Sequence, residues 1–191
     1  MSIMVDEGEK KEYILVPAGT HQAVAYNVWD LGWQTIDYMG QTKIVGQLIV
    51  GWEIDEIIPS GDFQGKRFAI SKRYTKSLYE KANLCKDLES WRGKAFSDEE
   101  KKGFDVEKLI GVNCLLSVVH KTSKKKGNTY AVAGAVMKLP KGSMPIKPEN
   151  DRTTPDWVKK LQDAQTDNPE AHGNGHQEPE VSDDSEEPMP F

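Results

Sequence analysis

The sequence predicts a mainly β protein, with five strands around one core, a single helix between the third and fourth, and a disordered acidic tail. Three observations carry this expectation. Short segments alternate apolar and polar residues with the period of two that a half-buried strand requires. One segment, residues 77–92, instead repeats apolar residues every three or four positions, the helical period. Beyond Ala164 apolar residues nearly vanish, so the chain there cannot bury enough surface to offset its ordering entropy.

The first strand is expected at residues 22–29, with Val24, Tyr26 and Val28 on one side and Ala23, Ala25, Asn27 and Trp29 on the other. Residues 30–42 contain Gly32 and Gly40 and read as a loop carrying Trp33 and Tyr38, or as a loose extension of the strand. The second strand, 43–54, places Ile44, Leu48, Val50, Trp52 and Ile54 on one face, with Gly46 and Gly51 permitting curvature. A turn at 59–65 leads to the third strand, 66–74, which sets Phe68, Ile70 and Tyr74 against Arg67, Ala69, Ser71 and Arg73. In the helix, Leu78, Ala82, Cys85, Leu88 and Trp91 form the apolar stripe and Gly93 supplies a stop. Strands four (113–121) and five (129–139) follow a charged connection. A further short helix is expected within 154–161, around Trp157 and Leu161.

This order is that of an OB-fold barrel, a five-stranded Greek-key design named for binding oligonucleotides and oligosaccharides. The domain reading is an N-terminal extension at 1–20, the barrel at 21–142, and a disordered acidic tail at 143–191.

Charge divides the chain the same way. All 25 Lys and Arg and 21 of the 30 acidic residues precede Asp163, so the body carries +4 and the remainder −9. That asymmetry points to a nucleic-acid partner. Two cysteines, Cys85 and Cys114, make neither a disulfide framework nor a zinc spacing, which suggests a reducing, cytoplasmic setting. No apolar run approaches the roughly 18 residues needed to span a bilayer, so no membrane partner is expected.

In an OB barrel the ligand crosses strands two and three between the one-to-two and four-to-five loops. Here those places hold aromatic rings and cations, the two components of sequence-tolerant single-strand binding. The candidate contacts are Trp29, Trp33 and Tyr38; Lys43; Lys66, Arg67, Lys72, Arg73 and Lys76 along strand three; Lys121, Lys124, Lys125 and Lys126 in the four-to-five turn; and Tyr130. A lysine-rich turn alone is more often a solvated tip; the expectation rests on these groups converging on one face. Trp52 and Trp91 are expected in the core. No phosphate loop, nucleophile elbow or metal-spaced cluster occurs, and His172 and His176 lack a third ligand. The chain is therefore expected to have no catalytic residues, metal site or cofactor.

The last ten residues, Ser182-Asp-Asp-Ser-Glu-Glu-Pro-Met-Pro-Phe191, resemble the terminal peptide of bacterial single-stranded DNA-binding proteins. The body resembles the single-stranded DNA-binding proteins of tailed phages, in Trp91-Arg-Gly-Lys-Ala-Phe96 and in the run from Phe104 to Gly111. It departs from the bacterial pattern in having Met189 where Ile is usual and no long Gly/Gln-rich spacer. The resemblance implies a protein that coats single-stranded DNA during phage replication, recombination or repair, in the cytoplasm of a host cell if the chain is phage-encoded. It also implies recruitment of replication or recombination proteins through Asp183, Asp184, Glu186, Glu187, Met189, Pro190 and Phe191. A homo-oligomer is compatible with this reading. The alternatives are a protein-interaction adaptor and a strand-annealing accessory of a recombination system.

Overall fold

A computed structural model describes residues 14–38, 40–124 and 127–168. Its elements are β1 (Gly19–Tyr38), β2 (Gln41–Ile57), β3 (Arg67–Thr75), α1 (Asn83–Arg92), α2 (Asp98–Lys101), a 3-10 turn (Val106–Leu109), β4 (Asn113–Thr122), β5 (Thr129–Lys138) and α3 (Asp156–Asp163). The five strands form one antiparallel sheet in the order β3-β2-β1-β4-β5. Its inner face buries the expected side chains: Leu48, Val50, Trp52 and Ile54 of β2, and Phe68, Ile70 and Tyr74 of β3. Helix α1 adds Leu84, Cys85, Leu88 and Trp91 to the same core.

The sheet curls but does not close. Edge strands β3 and β5 approach each other and α1, yet no hydrogen-bonded ladder joins them among the described residues. Lys72 crosses the gap: its Nζ donates to Gly134 O of β5 and to Asp87 Oδ2 of α1, both at 2.9 Å. Tyr74 donates to the same carboxylate oxygen at 2.7 Å. A cation desolvated in this way is stable only because its donors meet an opposite charge and a carbonyl.

The alternation in β1 is interrupted. Register shifts between Ala25 and Asn27, and between Asp30 and Gly32, mark two β-bulges. An extra residue moves every later side chain to the other face. Ala23 and Ala25 therefore point into the core with Val28 packed against it, whereas Tyr26, Trp29 and Leu31 gather on the outer face. The expected grouping of Tyr26 with Val28, and of Trp29 with Ala23, is corrected accordingly. Residues 30–38 continue the strand rather than forming a loop, so β1 and β2 make one long hairpin that turns at Gly40 (φ 76°).

Helix α1 begins at Asn83, later than its apolar period suggests, because Ser77 Oγ accepts from Tyr79 N and holds the preceding residues in a turn. It ends where Gly93 adopts φ 68°, a conformation that costs glycine nothing. Most of the segment that carried the family resemblance then has a folding role. Trp91 Nε1 donates to Asn113 O at 2.9 Å, and the Arg92 guanidinium lies 4.2 Å from the Phe96 ring centroid while pairing with Glu100. Backbone donation from Ser97, and then Arg92, holds the Glu100 carboxyl down at about 2. Cys85 and Cys114 are buried, and burial pushes the Cys114 thiol up to about 12, which makes it an inert core group. No helix among the described residues is long and apolar enough to cross a membrane.

The expected disordered tail is corrected in its first part. Residues 143–166 run as a strap along the outer face of the sheet and include α3, which overlaps the short helix expected there. Composition hides the docking of residues 143–155 because their attachments are polar, whereas α3 docks through Val158, Trp157 and Leu161. The remainder, residues 169–191, lies outside the described residues.

Candidate nucleic-acid interface

A strand was expected to cross strands two and three; the strap lies along the outer face of β1 and β2 and reaches β3 at Arg67. Trp29 is 4% exposed, packed with Leu31, Ile49 and Val158 of α3. The Tyr26 and Trp29 rings meet edge to face, centroids 5.5 Å apart. Both lie over Gly51, where an added Cβ would sit 2.8 Å from Trp29 Cζ3 and 2.9 Å from Tyr26 Cε1. Gly51 is thus the floor beneath two rings, not chiefly a bend. Burial, reinforced by Glu53 and Asp151, pushes the Tyr26 hydroxyl up to about 12.

Glu53, fully buried, anchors the strap. Its carboxylate accepts from Glu149 N at 2.9 and 3.0 Å and from Asn150 N at 2.5 Å. Arg67 donates to Lys147 O at 2.9 Å and stands among Glu53, Asp55 and Glu149. Asn27 Nδ2 reaches Arg152 O at 3.3 Å, and Gln34 Nε2 reaches Leu161 O at 2.9 Å.

Beyond the strap the hairpin of β1 and β2 becomes a two-stranded arm. Residues 41–46 of β2 have no β3 partner, and β1 has no β4 partner after Val24. On one side of the arm the half-buried Trp33 stands opposite Gly46, where the Lys76 side chain also lies; a Cβ on Gly46 would meet Lys76 Cε at 3.1 Å and Trp33 Cζ3 at 3.8 Å. Ile44, 40% exposed, continues that side. On the other side Lys43 Nζ sits 5.0 Å from the Tyr38 ring centroid. Lys76 pairs with Asp30 at 2.7 Å. Burial would raise the Asp30 carboxyl, but donation from Lys76 and from Gly32 N outweighs it and holds the group below the usual carboxylate range.

A second group of cations and rings lies at the opposite end of the sheet. Phe63, 56% exposed on the turn between Gly61 and Gly65, has Lys66 Nζ 5.6 Å from its centroid. β3 and β5 run in the same direction. Counting five residues back from Lys72 and from Gly134 reaches Arg67 and Thr129, so the 58–66 turn and the turn after Thr122 share this end. Lys121 stands opposite Tyr130 there, followed by the exposed Lys124. Phe63 escaped the sequence reading, although an aromatic residue between two turn glycines beside a lysine was a signal that could have found it.

The two loops expected to frame the ligand stand at opposite ends of the sheet. β1 starts beside Val118 of β4 and ends at the arm, so the β1–β2 and β4–β5 turns project from opposite ends of the sheet. Three individual residues also change place. Trp29 is sealed beneath α3, Lys72 is committed across the β3–β5 gap, and Arg67 is surrounded by carboxylates that hold the strap. Arg73 is half-buried beside Ile49 on the covered face. Trp33, Tyr38, Lys43 and Lys76 share the arm and its root, while Lys66, Lys121, Lys124 and Tyr130 share the far end. Lys125, Lys126 and the acidic terminal peptide from Asp183 to Phe191 lie outside the described residues.

The two described histidines hold local structure. His21 Nδ1 lies 2.6 Å from Glu56 and its Nε2 2.8 Å from Pro17 O, while His120 Nε2 lies 2.7 Å from Val16 O. No group of His, Cys, Asp and Glu able to hold a metal occurs among the described residues. Compared with family models and with curated proteins, the chain matches none.

Proposed function

We propose that the protein binds single-stranded DNA without acting on it chemically, gripping the strand at the arm and at the opposite turn end. The observation that carries this is the nearness of rings and cations at both ends of the sheet: the half-buried Tyr38 with Lys43, the exposed Phe63 with Lys66, and the half-buried Trp33 beside Lys76 over Gly46. Rings stack on bases of any sequence and cations follow phosphates, so such pairs suit an unpaired polynucleotide. The strand order, a β3 and β5 that run alike across an unclosed gap, and a helix between β3 and β4 support the OB reading. In this proposal the acidic tip recruits replication or recombination proteins, its terminal Phe191 ring entering an apolar pocket while its acids meet cations.

Titration with oligo-dT at low salt tests the proposal. Tryptophan emission should quench, and Trp33→Ala should reduce the quench and weaken binding roughly 5- to 150-fold, the loss of one stacked base. Absence of binding at low salt overturns it. One observation favours a protein-binding adaptor instead: the outer face already holds an extended polypeptide by its backbone groups. An adaptor's affinity for its partner should be indifferent to added polyanion.

A further inference from the structure

We infer that the strap is the intrachain occupant of a second strand-binding surface, and that it leaves the outer face of β1–β3 when a strand spans the molecule. This rests on the reading above. The ring–cation pairs lie at opposite ends, and along β2 from Gly46 to Ile57 they are separated by roughly 35 Å of strand. Tyr38 and Lys43 lie on the side of β2 that carries Ile49, so a strand running from them along β2 to Phe63 and Lys66 passes over the face that the strap covers.

The way the strap is held suits an exchangeable cover. Residues 143–155 contain no helix or strand and are mostly exposed. They are attached chiefly by side chains of the sheet bonding to strap backbone, as Glu53, Arg67 and Asn27 do. The strap's apolar anchors, the buried Val158 with the half-buried Trp157 and Leu161, all belong to α3, and no apolar side chain of residues 143–155 is buried. Segments with few apolar anchors open first.

The covered face is also incompletely satisfied. Trp29 Nε1 and Gln47 Oε1 are buried there without a hydrogen-bond partner among the described residues. A native core rarely leaves such groups orphaned. Uncovered, the face would present the Tyr26 and Trp29 rings over a flat glycine, with Arg73 beside Ile49. Its release is coupled to the arm, because Thr166 N donates to Trp33 O at 2.8 Å and clips the strap's end to the residue proposed to stack.

Hydrogen exchange of the full chain with and without saturating oligo-dT, alongside anisotropy titrations of the full chain and of Glu53→Gln, tests this. Expected are faster exchange at residues 149–166 when the strand is bound and an affinity for Glu53→Gln about 3- to 10-fold tighter, as the competent fraction rises. Binding with unchanged or slowed exchange in the strap overturns the inference and leaves single-strand binding intact. Binding only by Glu53→Gln supports it. Failure of both forms to bind overturns single-strand binding itself, and the cover with it.

Discussion

Replacing Gly51 with alanine tests whether the Tyr26 and Trp29 rings are clamped between the sheet and the strap. The new methyl carbon would lie 2.8 Å from Trp29 Cζ3 and 2.9 Å from Tyr26 Cε1, whereas carbons rest about 3.5–4.0 Å apart. The rings must retreat by roughly 0.7 Å, toward a helix whose Val158 is fully buried. Overpacking of this kind costs about 1–3 kcal/mol, against which alanine in a strand recovers about 0.5–1 kcal/mol of backbone entropy. The net expectation is a loss centred on about 1.3 kcal/mol and reaching about 2.5 kcal/mol, a melting point lower by about 3–5 °C at the centre of that range in a domain of this size. Thermal melts followed by circular dichroism measure it. The cause is isolated by a second change: Val158→Ala opens space above the rings, so the Gly51→Ala penalty should shrink by at least half in that background. A Gly51→Ala variant that melts at or above the wild-type temperature, or a penalty unaltered by Val158→Ala, would refute the clamp.

Lys72→Met should lower stability by about 1–3 kcal/mol, since it leaves the Asp87 carboxylate without its cation, yet change oligo-dT affinity less than twofold; chemical denaturation and anisotropy read the two effects separately. Asp30→Asn removes the carboxylate that engages Lys76 and should tighten strand binding by about 2- to 5-fold at low salt, a gain that vanishes as salt is raised. For Tyr26, burial raises the folded-state value from 10 to about 12, so its contribution to stability is fully present below pH 10 and is lost as pH rises through about 12. Tyr26→Phe should accordingly flatten the alkaline limb of a stability-versus-pH curve.

Much of the sheet was legible because burial imposes its period directly. Leu48, Val50, Trp52 and Ile54 alternate without interruption, as do Phe68 and Ile70, and these are core residues. β1 was legible as a strand but not in its facing, since no composition signal announces a bulge, and the extra residue at Tyr26 exchanged the partners of Val28 and Trp29. The basic residues of β3 were visible, but their neighbours were not: Lys72 and Arg67 meet Asp87 and Glu53, carboxylates distant in sequence that only the folded chain brings near. Docking of the strap was hidden for a related reason. Before α3 its attachments are largely backbone amides and carbonyls, which every residue carries, so Glu149 and Asn150 give no sign that they face Glu53. The division of charge between body and tail remains a reading of composition alone.

The most direct measurement is the anisotropy of a labelled oligo-dT titrated with the full chain at a series of salt concentrations. Binding should be tight at low salt and fall with a log–log slope of about −0.7 for each phosphate engaged, flattening when Lys43, Lys66 and Lys76 are changed together to alanine. An anisotropy that does not rise at low salt, or a slope unchanged by that triple substitution, would contradict the account.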